Sequence, residues 1–361
     1  MDPATFQRRP FPLPEAVTEQ EAGGGARVRK APPTYNDGDE AECGKPNVHL
    51  HALGLDKLMR QAGGDYVTLS ARWPPGCPDL SQLQPSDLTG AAAEQLEVLY
   101  SLAPQGSALW HAARQGKVTA SVLGAYLGFS ELTSARELGM PRYLTGHEQL
   151  DAIQRSLQRA DGTAHHAENP ALQWGHLHEP NCLWQVLENV RAIPGFEWVR
   201  DRMVLETGFI SLPPCEDMPR LGASPDGLLL AWPGPRAMGG QPVKVALEFK
   251  SRFPFKKEPE LDENGDAVYR YAPLKRFPAL MLPTHYAQVQ LSMLACGANT
   301  CLYMEYTVTK TNVRVVQYDA AWVDAAIGEG TVTDVEGEAA EGAAGEGARR
   351  GEGGVGGNPF V

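Results

Sequence analysis

The stretch Lys244-Val-Ala-Leu-Glu-Phe-Lys-Ser-Arg252 (KVALEFKSR) decides how this 361-residue chain is read. As a β-strand it alternates, because successive side chains point to opposite faces of a sheet. Val245, Leu247 and Phe249 then face one way. Lys244, Ala246, Glu248, Lys250 and Arg252 face the other. Such a strand is ordinarily half-buried, with a solvated, salt-bridged outer face. The alternative is an active site in which a rigid strand holds Glu248 and Lys250 side by side.

Working outward, the period of the apolar residues changes along the chain. Residues 92–193 read as helices: AAEQLEVLYSL, SALWHAARQG, TASVLGAYLGF, HEQLDAIQRSLQRA, and LHEPNCLWQVLENVRAI with Pro180 near its start, where proline is tolerated. Next come three strand-like segments separated by Pro/Gly turns, DRMVLETGFISL, LGASPDGLLLAW and VKVALEFKSR. PTHYAQVQLSMLACG reads as a helix, and TCLYMEYTVTK and NVRVVQYDA as two further strands. This order predicts an α/β (α+β) fold, a mixed central β-sheet flanked by helices. The domain is expected over 96–325. It follows a variable segment, 51–95, that holds a short helix in HALGLDKLMRQAGG. The Pro/Gly/charge-rich residues 1–50 and the Gly/Ala/Glu-rich tail 326–361 read as disordered.

Composition narrows the class. A hydrophobic share of 42% suffices for a packed core. No apolar run of roughly 18 residues is present to span a membrane. The N-terminus lacks a secretory pattern and makes a poor transit peptide. An intracellular location is expected, with nucleus and organelle both open. The six cysteines, at 43, 77, 182, 215, 296 and 301, include no C-x-x-C and no zinc or iron–sulfur spacing, so they read as reduced thiols. Net charge is −12, yet residues 111–320 hold 21 Lys+Arg against 22 Asp+Glu, so the excess acid lies in the ends. Near-neutral bulk charge neither forbids nor supports a basic groove.

Around the opening strand, chemistry-bearing residues occur in order. Asp226 follows Pro225 in a turn, and Glu248-x-Lys250 comes about twenty residues later. If their strands pair, Asp226 and Glu248 meet at one end of the sheet. Upstream, Gly175 and Glu179 in WGHLHEP are four apart on one helical face. A helix packed through Gly175 would bring Glu179 to the other carboxylates. Downstream, Tyr286, Gln288 and Gln290 lie near a helix start. Pro-Asp-Gly alone is also a plain turn signal.

The ordered set Gly-x-x-x-Glu, Pro-Asp, Glu-x-Lys, Gln-x-Gln resembles the PD-(D/E)XK nuclease superfamily in its YqaJ-type viral recombinase and lambda exonuclease branch. Trp110–Ser121, WHAARQGKVTAS, resembles that branch's W-H-x-x-R-x-G-x-x-T-A-S segment. The resemblance covers about 100–320. It implies a restriction-endonuclease-like core and a metal-dependent 5′-to-3′ exonuclease on duplex DNA ends, acting in recombination or repair and leaving 3′ single strands. It also implies Mg²⁺ (or Mn²⁺) as cofactor, a homo-oligomer (a trimer by analogy) and a single-strand annealing protein as partner. A catalytically silent end-binding module, or an endonuclease of the same superfamily, is the alternative.

The chemistry requires these residue types. Two like charges 4 Å apart at an effective dielectric of 20 repel by about 4 kcal/mol. A hard cation removes that cost and suits Glu179, Asp226, Glu248 and the backbone carbonyl of Phe249. Lys250 would orient the attacking water and stabilise charge building on the phosphate. The resemblance implies that Arg114 and Ser121 hold a 5′ phosphate, and Arg's planar fork suits that task. Gln288 and Gln290 would bond to DNA or to the catalytic groups. His176 and His178 are expected to be structural, since i,i+2 residues on a helix do not face each other. His165 and His166 read as loop residues. Residues 252–278 read as a mobile surface loop whose Lys256, Lys257, Lys275 and Arg276 are candidates for backbone contact, although Asp262, Glu263 and Asp266 lie among them.

Overall fold

The computed structural model describes residues 52–90, 92–127, 129, 170–214, 220–265, 267–272, 274 and 276–327. The helix expected over 147–160, His165 and His166, Lys275, Cys43, Cys215 and both chain ends lie outside these residues. Among the described residues no helix is long and apolar enough to cross a membrane.

The opening stretch is strand β7, Val243–Ser251, the longest strand of a six-stranded mixed sheet. The sheet order is β1 (Tyr66–Val67), β3 (Asp201–Leu205), β6 (Gly227–Trp232), β7, β10 (Thr300–Tyr306) and β11 (Thr311–Gln317). β1–β3 and β7–β10 run parallel and the other neighbours antiparallel. This is the mixed sheet flanked by helices that the change of period predicts.

Beyond the exposed Lys244, the outer face of β7 is covered from Ala246 to Glu248. Val245, Leu247 and Phe249 pack with Leu183, Val186 and Leu187 of helix α5 (Pro170–Asn189). Ala246, on the opposite face, packs with Val289 and Met293 of helix α6 (Pro283–Cys296) and with Cys301 and Tyr303 of β10. Full burial of a side chain such as Leu247 contributes roughly 1.5–3 kcal/mol. Strands covered on both faces read as continuous apolar runs, and the polar residues of β7 interrupt that run at its exposed start, Lys244, and in its C-terminal half. α6 opens with Pro283 at its first turn and ends at Gly297, whose φ of 61° is left-handed.

Several sequence expectations are corrected. DRMVLETGFISL is two strands: β3 joins the main sheet, and β4 (Ile210–Ser211) joins a small sheet ordered β2 (Val118–Thr119), β5 (Leu221–Ala223), β4. LGASPDGLLLAW likewise divides into β5 and β6, because Pro225 has no N–H to donate to a ladder. α5 starts at Pro170, so Pro180 lies in its interior and deprives the His176 carbonyl of its helical donor. Residues 252–278 are not simply a loop: β8 (Phe255–Leu261) and β9 (Ala267–Tyr271) form an antiparallel hairpin. Phe253, Phe255, Tyr269 and Tyr271 at its base cluster with Trp174, which supplies the burial an isolated hairpin lacks. The segment before residue 95 shares the main core. α1 (Leu55–Ala62) contributes Leu58, β1 extends the sheet edge, and the Leu53 N–H donates to Asn181 Oδ1 at 2.7 Å.

The remaining described helices are α2 (Ala93–Ser101), α3 (Ala108–Arg114), α4 (Ala120–Tyr126) and α7 (Ala320–Ile327). α4 lies hard against α6: a Cβ on Gly124 would stand 2.6 Å from Thr284 Cα. Glycine is what permits that approach. Cys77, Cys182, Cys296 and Cys301 are free thiols, as the spacing predicts.

Candidate active site

The break between β5 and β6 places Asp226. The pairing of β6 with β7 ends at Gly227 opposite Leu247. Just beyond it, the Asp226 N–H donates to the Leu247 carbonyl at 3.1 Å, and Asp226 Oδ2 accepts the Phe249 N–H at 2.5 Å. The carboxylate thus replaces the strand neighbour that Phe249 lacks. In an antiparallel pair a residue's N–H and C=O point to the same side, so the Phe249 carbonyl leaves β7 toward Asp226.

One residue away, Glu248 is 1% exposed. Its Oε1 accepts Lys250 Nζ at 2.6 Å and Gln288 Nε2 at 2.5 Å. Gln288 in turn accepts Lys250 Nζ through its Oε1 at 3.1 Å. One amide thereby bridges both members of the ion pair and orients each. Burial opposes charge on Lys250, but Glu248 and Asp226 outweigh it and raise the ammonium above its ordinary range. Glu248 Oε2 is buried with no hydrogen-bond partner. A buried carboxylate oxygen left this way is costly and calls for a donor or a cation.

Glu179 approaches from α5, on the opposite face of the sheet from α6. Burial, Glu206 and Glu248 push its carboxyl up to about 7. Asp226 is raised well above its ordinary range by burial, Glu248 and Glu179. These three carboxylates therefore act on one another electrostatically. Sequence reasoning missed Glu206. It stands at the end of β3, where its carboxylate accepts the Leu69 N–H at 2.8 Å and adds to the charge on Glu179. It was hidden because VLETGFISL reads as one strand. The site is not a closed cage: among the described residues no three His, Cys, Asp or Glu side chains already converge on one metal position. The donor set nonetheless fits a hard cation, with three carboxylates under mutual repulsion and one orphaned oxygen.

A second polar group borders this cluster. Ser224, two residues before Asp226, accepts Trp110 Nε1 at 2.9 Å. The Arg114 guanidinium stacks on the Trp110 ring at 3.9 Å and reaches Thr119 Oγ1, which lies 3.1 Å from Ser121 Oγ. Arg114 and Ser121, predicted together, are together. Trp110 and Ser224 join them, residues quoted in the motifs but given no role by sequence.

Other predicted residues stand elsewhere. Gln290 does not join the carboxylates. It donates to the Gln317 carbonyl and accepts the Asp319 N–H, both at 2.9 Å, and so ties α6 to the end of β11. Two residues along a helix is a turn of about 200°, so Gln288 and Gln290 cannot serve one point. A Cβ on Gly175 would meet nothing within 4 Å, so the expected close packing there is absent. His178 is buried against Trp174 with ring centroids 4.1 Å apart, and His176 is exposed. Lys256 and Lys257 are exposed on the hairpin, and Arg276 is exposed in the segment before α6.

The profile of the YqaJ-like viral recombinase domain matches residues 109–299, more than half of the chain. The chain belongs to that family. The YqaJ-like match takes in Arg114, Ser121, Glu179, Glu206, Asp226, Glu248, Lys250 and Gln288. Among solved structures the chain is similar to an alkaline exonuclease (LHK-Exo) from Laribacter hongkongensis, at 20% identity and a TM-score of 0.34, over 63% of this chain and 92% of that one. The same enzyme in complex with dAMP gives 21% identity with the same coverage and score. The chain has no match among curated proteins.

The burial and mutual repulsion of the carboxylates in this YqaJ-like site predict a stability profile. A carboxyl whose folded pKa lies above its unfolded value binds more protons when folded, so stability falls as pH rises between the two. For Glu179 that window runs from 4.5 to about 7. Without divalent metal, Glu179→Gln is expected to flatten this decline and to melt above the parent at pH 8. Thermal melts across pH in EDTA check it, and a decline of unchanged slope would refute it.

Proposed function

We propose that the chain is a metal-dependent deoxyribonuclease that digests duplex DNA from a 5′-phosphorylated end, in recombination or repair. The observation that carries this reading is the orphaned buried Oε2 of Glu248, beside an ammonium held charged and within a cluster of raised carboxylates. Glu179, Asp226, Glu248 and the Phe249 carbonyl would hold Mg²⁺, with Mn²⁺ as the alternative. Bound there, such an ion supplies neutralisation of the phosphate and of the leaving oxygen. The chain's own residues do the rest. Lys250, fixed by Glu248 and Gln288, presents a charged donor to a water aimed at phosphorus. Arg114, flattened on Trp110, offers its fork to a terminal phosphate, with Ser121 and Thr119 as hydroxyl partners.

The test uses a linear duplex with one 5′ end phosphorylated and the other not, in Mg²⁺ or EDTA. Metal-dependent loss from the phosphorylated end is expected. Arg114→Ala should slow digestion of that end by roughly 10- to 100-fold, the worth of a hydrogen bond to a charged group, and should erase the preference between ends. Cutting without end preference in the parent would remove the exonuclease assignment. Binding without cutting would leave an end-binding module.

A further inference from the structure

β7 carries one more cation past Lys250. The Arg252 N–H donates to the Tyr306 carbonyl at 2.8 Å, so the chain is still extended there and still paired with β10. Arg252 therefore lies on the same face as Glu248 and Lys250. Two residues of strand span about 7 Å, comparable to one phosphate-to-phosphate step of a DNA strand.

Arg252 Nη2 is paired with Glu305, which is 2% exposed and stands opposite Lys250 on β10. Through its Oε1, Glu305 accepts Arg252. Its Oε2 takes Asn312 Nδ2 at 3.3 Å and Arg314 Nη2 at 3.5 Å, both from β11. Arg314 is 7% exposed and is further engaged by the carbonyls of Pro278 and Ala279. Two guanidiniums thus share one carboxylate, and Glu305 holds Arg252 in place. Arg252 is the one that reaches solvent, with 29% of its side chain exposed, and its Nε is buried without a partner. A guanidinium fixed on one side by a carboxylate and open to solvent on the other is preorganised to meet a phosphate.

The position also has a direction. Trp110, Arg114 and Ser224 lie on the Asp226 side of β7, at the β5–β6 break. Arg252 and Glu305 lie on the β10 side. A strand whose 5′ end is held by Arg114 and whose scissile phosphate lies over Glu248 and Lys250 continues toward Arg252. We infer that Arg252 binds the phosphate on the 3′ side of the one being cut, buttressed by Glu305. This rests on the nuclease reading above.

The test compares natural 5′-phosphorylated duplex with the same duplex carrying one neutral methylphosphonate linkage immediately 3′ of the first scissile phosphate. For the parent protein the neutral linkage should slow the first cut by roughly 10- to 100-fold, the worth of a charged hydrogen bond. Arg252→Gln should lose a similar factor on natural DNA and lose little more on the neutral linkage. Arg252→Lys should recover part of the rate. The readout is the ratio of the two substrates within each variant, which partial unfolding does not move. If Arg252→Gln folds poorly, the double variant with Glu305→Gln removes the stranded carboxylate and the ratio is read there. An Arg252→Gln variant with the parent's rate, or with a loss that multiplies with that of the methylphosphonate, would overturn the inference. A parent protein that leaves natural DNA intact would instead overturn the nuclease reading, and this inference with it.

Discussion

Lys250→Ala is expected to lower the rate of metal-dependent DNA digestion by about 10²- to 10³-fold, the usual cost of removing one donor aimed at developing charge. Lys250 Nζ meets both Glu248 Oε1 and Gln288 Oε1. Its removal takes away the charged donor and also leaves Glu248, at 1% exposure, with only the Gln288 amide. Uncompensated buried charge destabilises. The variant should therefore melt below the parent in EDTA, and Mg²⁺ should narrow that gap. Lys250→Arg should not restore the rate, because a planar guanidinium cannot put a point charge between Glu248 and Gln288. Single-turnover digestion, with DNA affinity measured separately, checks the prediction. A variant that binds and cuts like the parent would return KVALEFKSR to being an ordinary strand.

The largest effect on stability is expected at Gly208. A Cβ there would stand 2.3 Å from the Ser101 carbonyl oxygen and 2.9 Å from that of Ala103. Both contacts are backbone, so no side chain can turn away. The end of α2 would have to lift, and with it Leu102, whose carbonyl accepts Trp73 Nε1 at 3.0 Å. The strain reaches the site. Gln105, two residues on from Ala103, donates to the carbonyls of Thr207 and Pro225, and Pro225 precedes Asp226. Gly208→Ala is expected to cost about 3 kcal/mol, the upper part of the range for overpacking. It should also cut activity at temperatures where the protein is still folded. Denaturant midpoints check this, and a change below about 0.5 kcal/mol would refute it.

Much of the site was legible because its residues stand on regular elements with known periods. Glu248 and Lys250 share a strand face whatever the strand packs against. Arg114 and Ser121 share a short motif. What could not be read depended on contacts between elements. Gln288 and Gln290 look equivalent in the chain, yet only the docking of α6 on β7 decides that Gln288 meets Glu248 while Gln290 turns to Asp319. Glu206 reads as a residue within a strand until that strand breaks. The hairpin at 255–271 has mixed charge and no clear alternation, and the aromatic cluster with Trp174 supports it from 80 or more residues away. Gly175 looked like a packing residue and faces open space.

By itself the sequence determined the mixed sheet with its helices and the family pattern, and it named the three carboxylates and their lysine as candidates. These follow from local period and from residue chemistry, which the chain carries wherever it folds. Only the tertiary structure decided that β7 is covered on both faces and that Glu248 keeps an unpartnered oxygen. Only there does Asp226 replace a missing strand, and only there do two arginines share one carboxylate beside the site. Those facts depend on which distant groups arrive at the same place, and hence on burial and on which charges are left over.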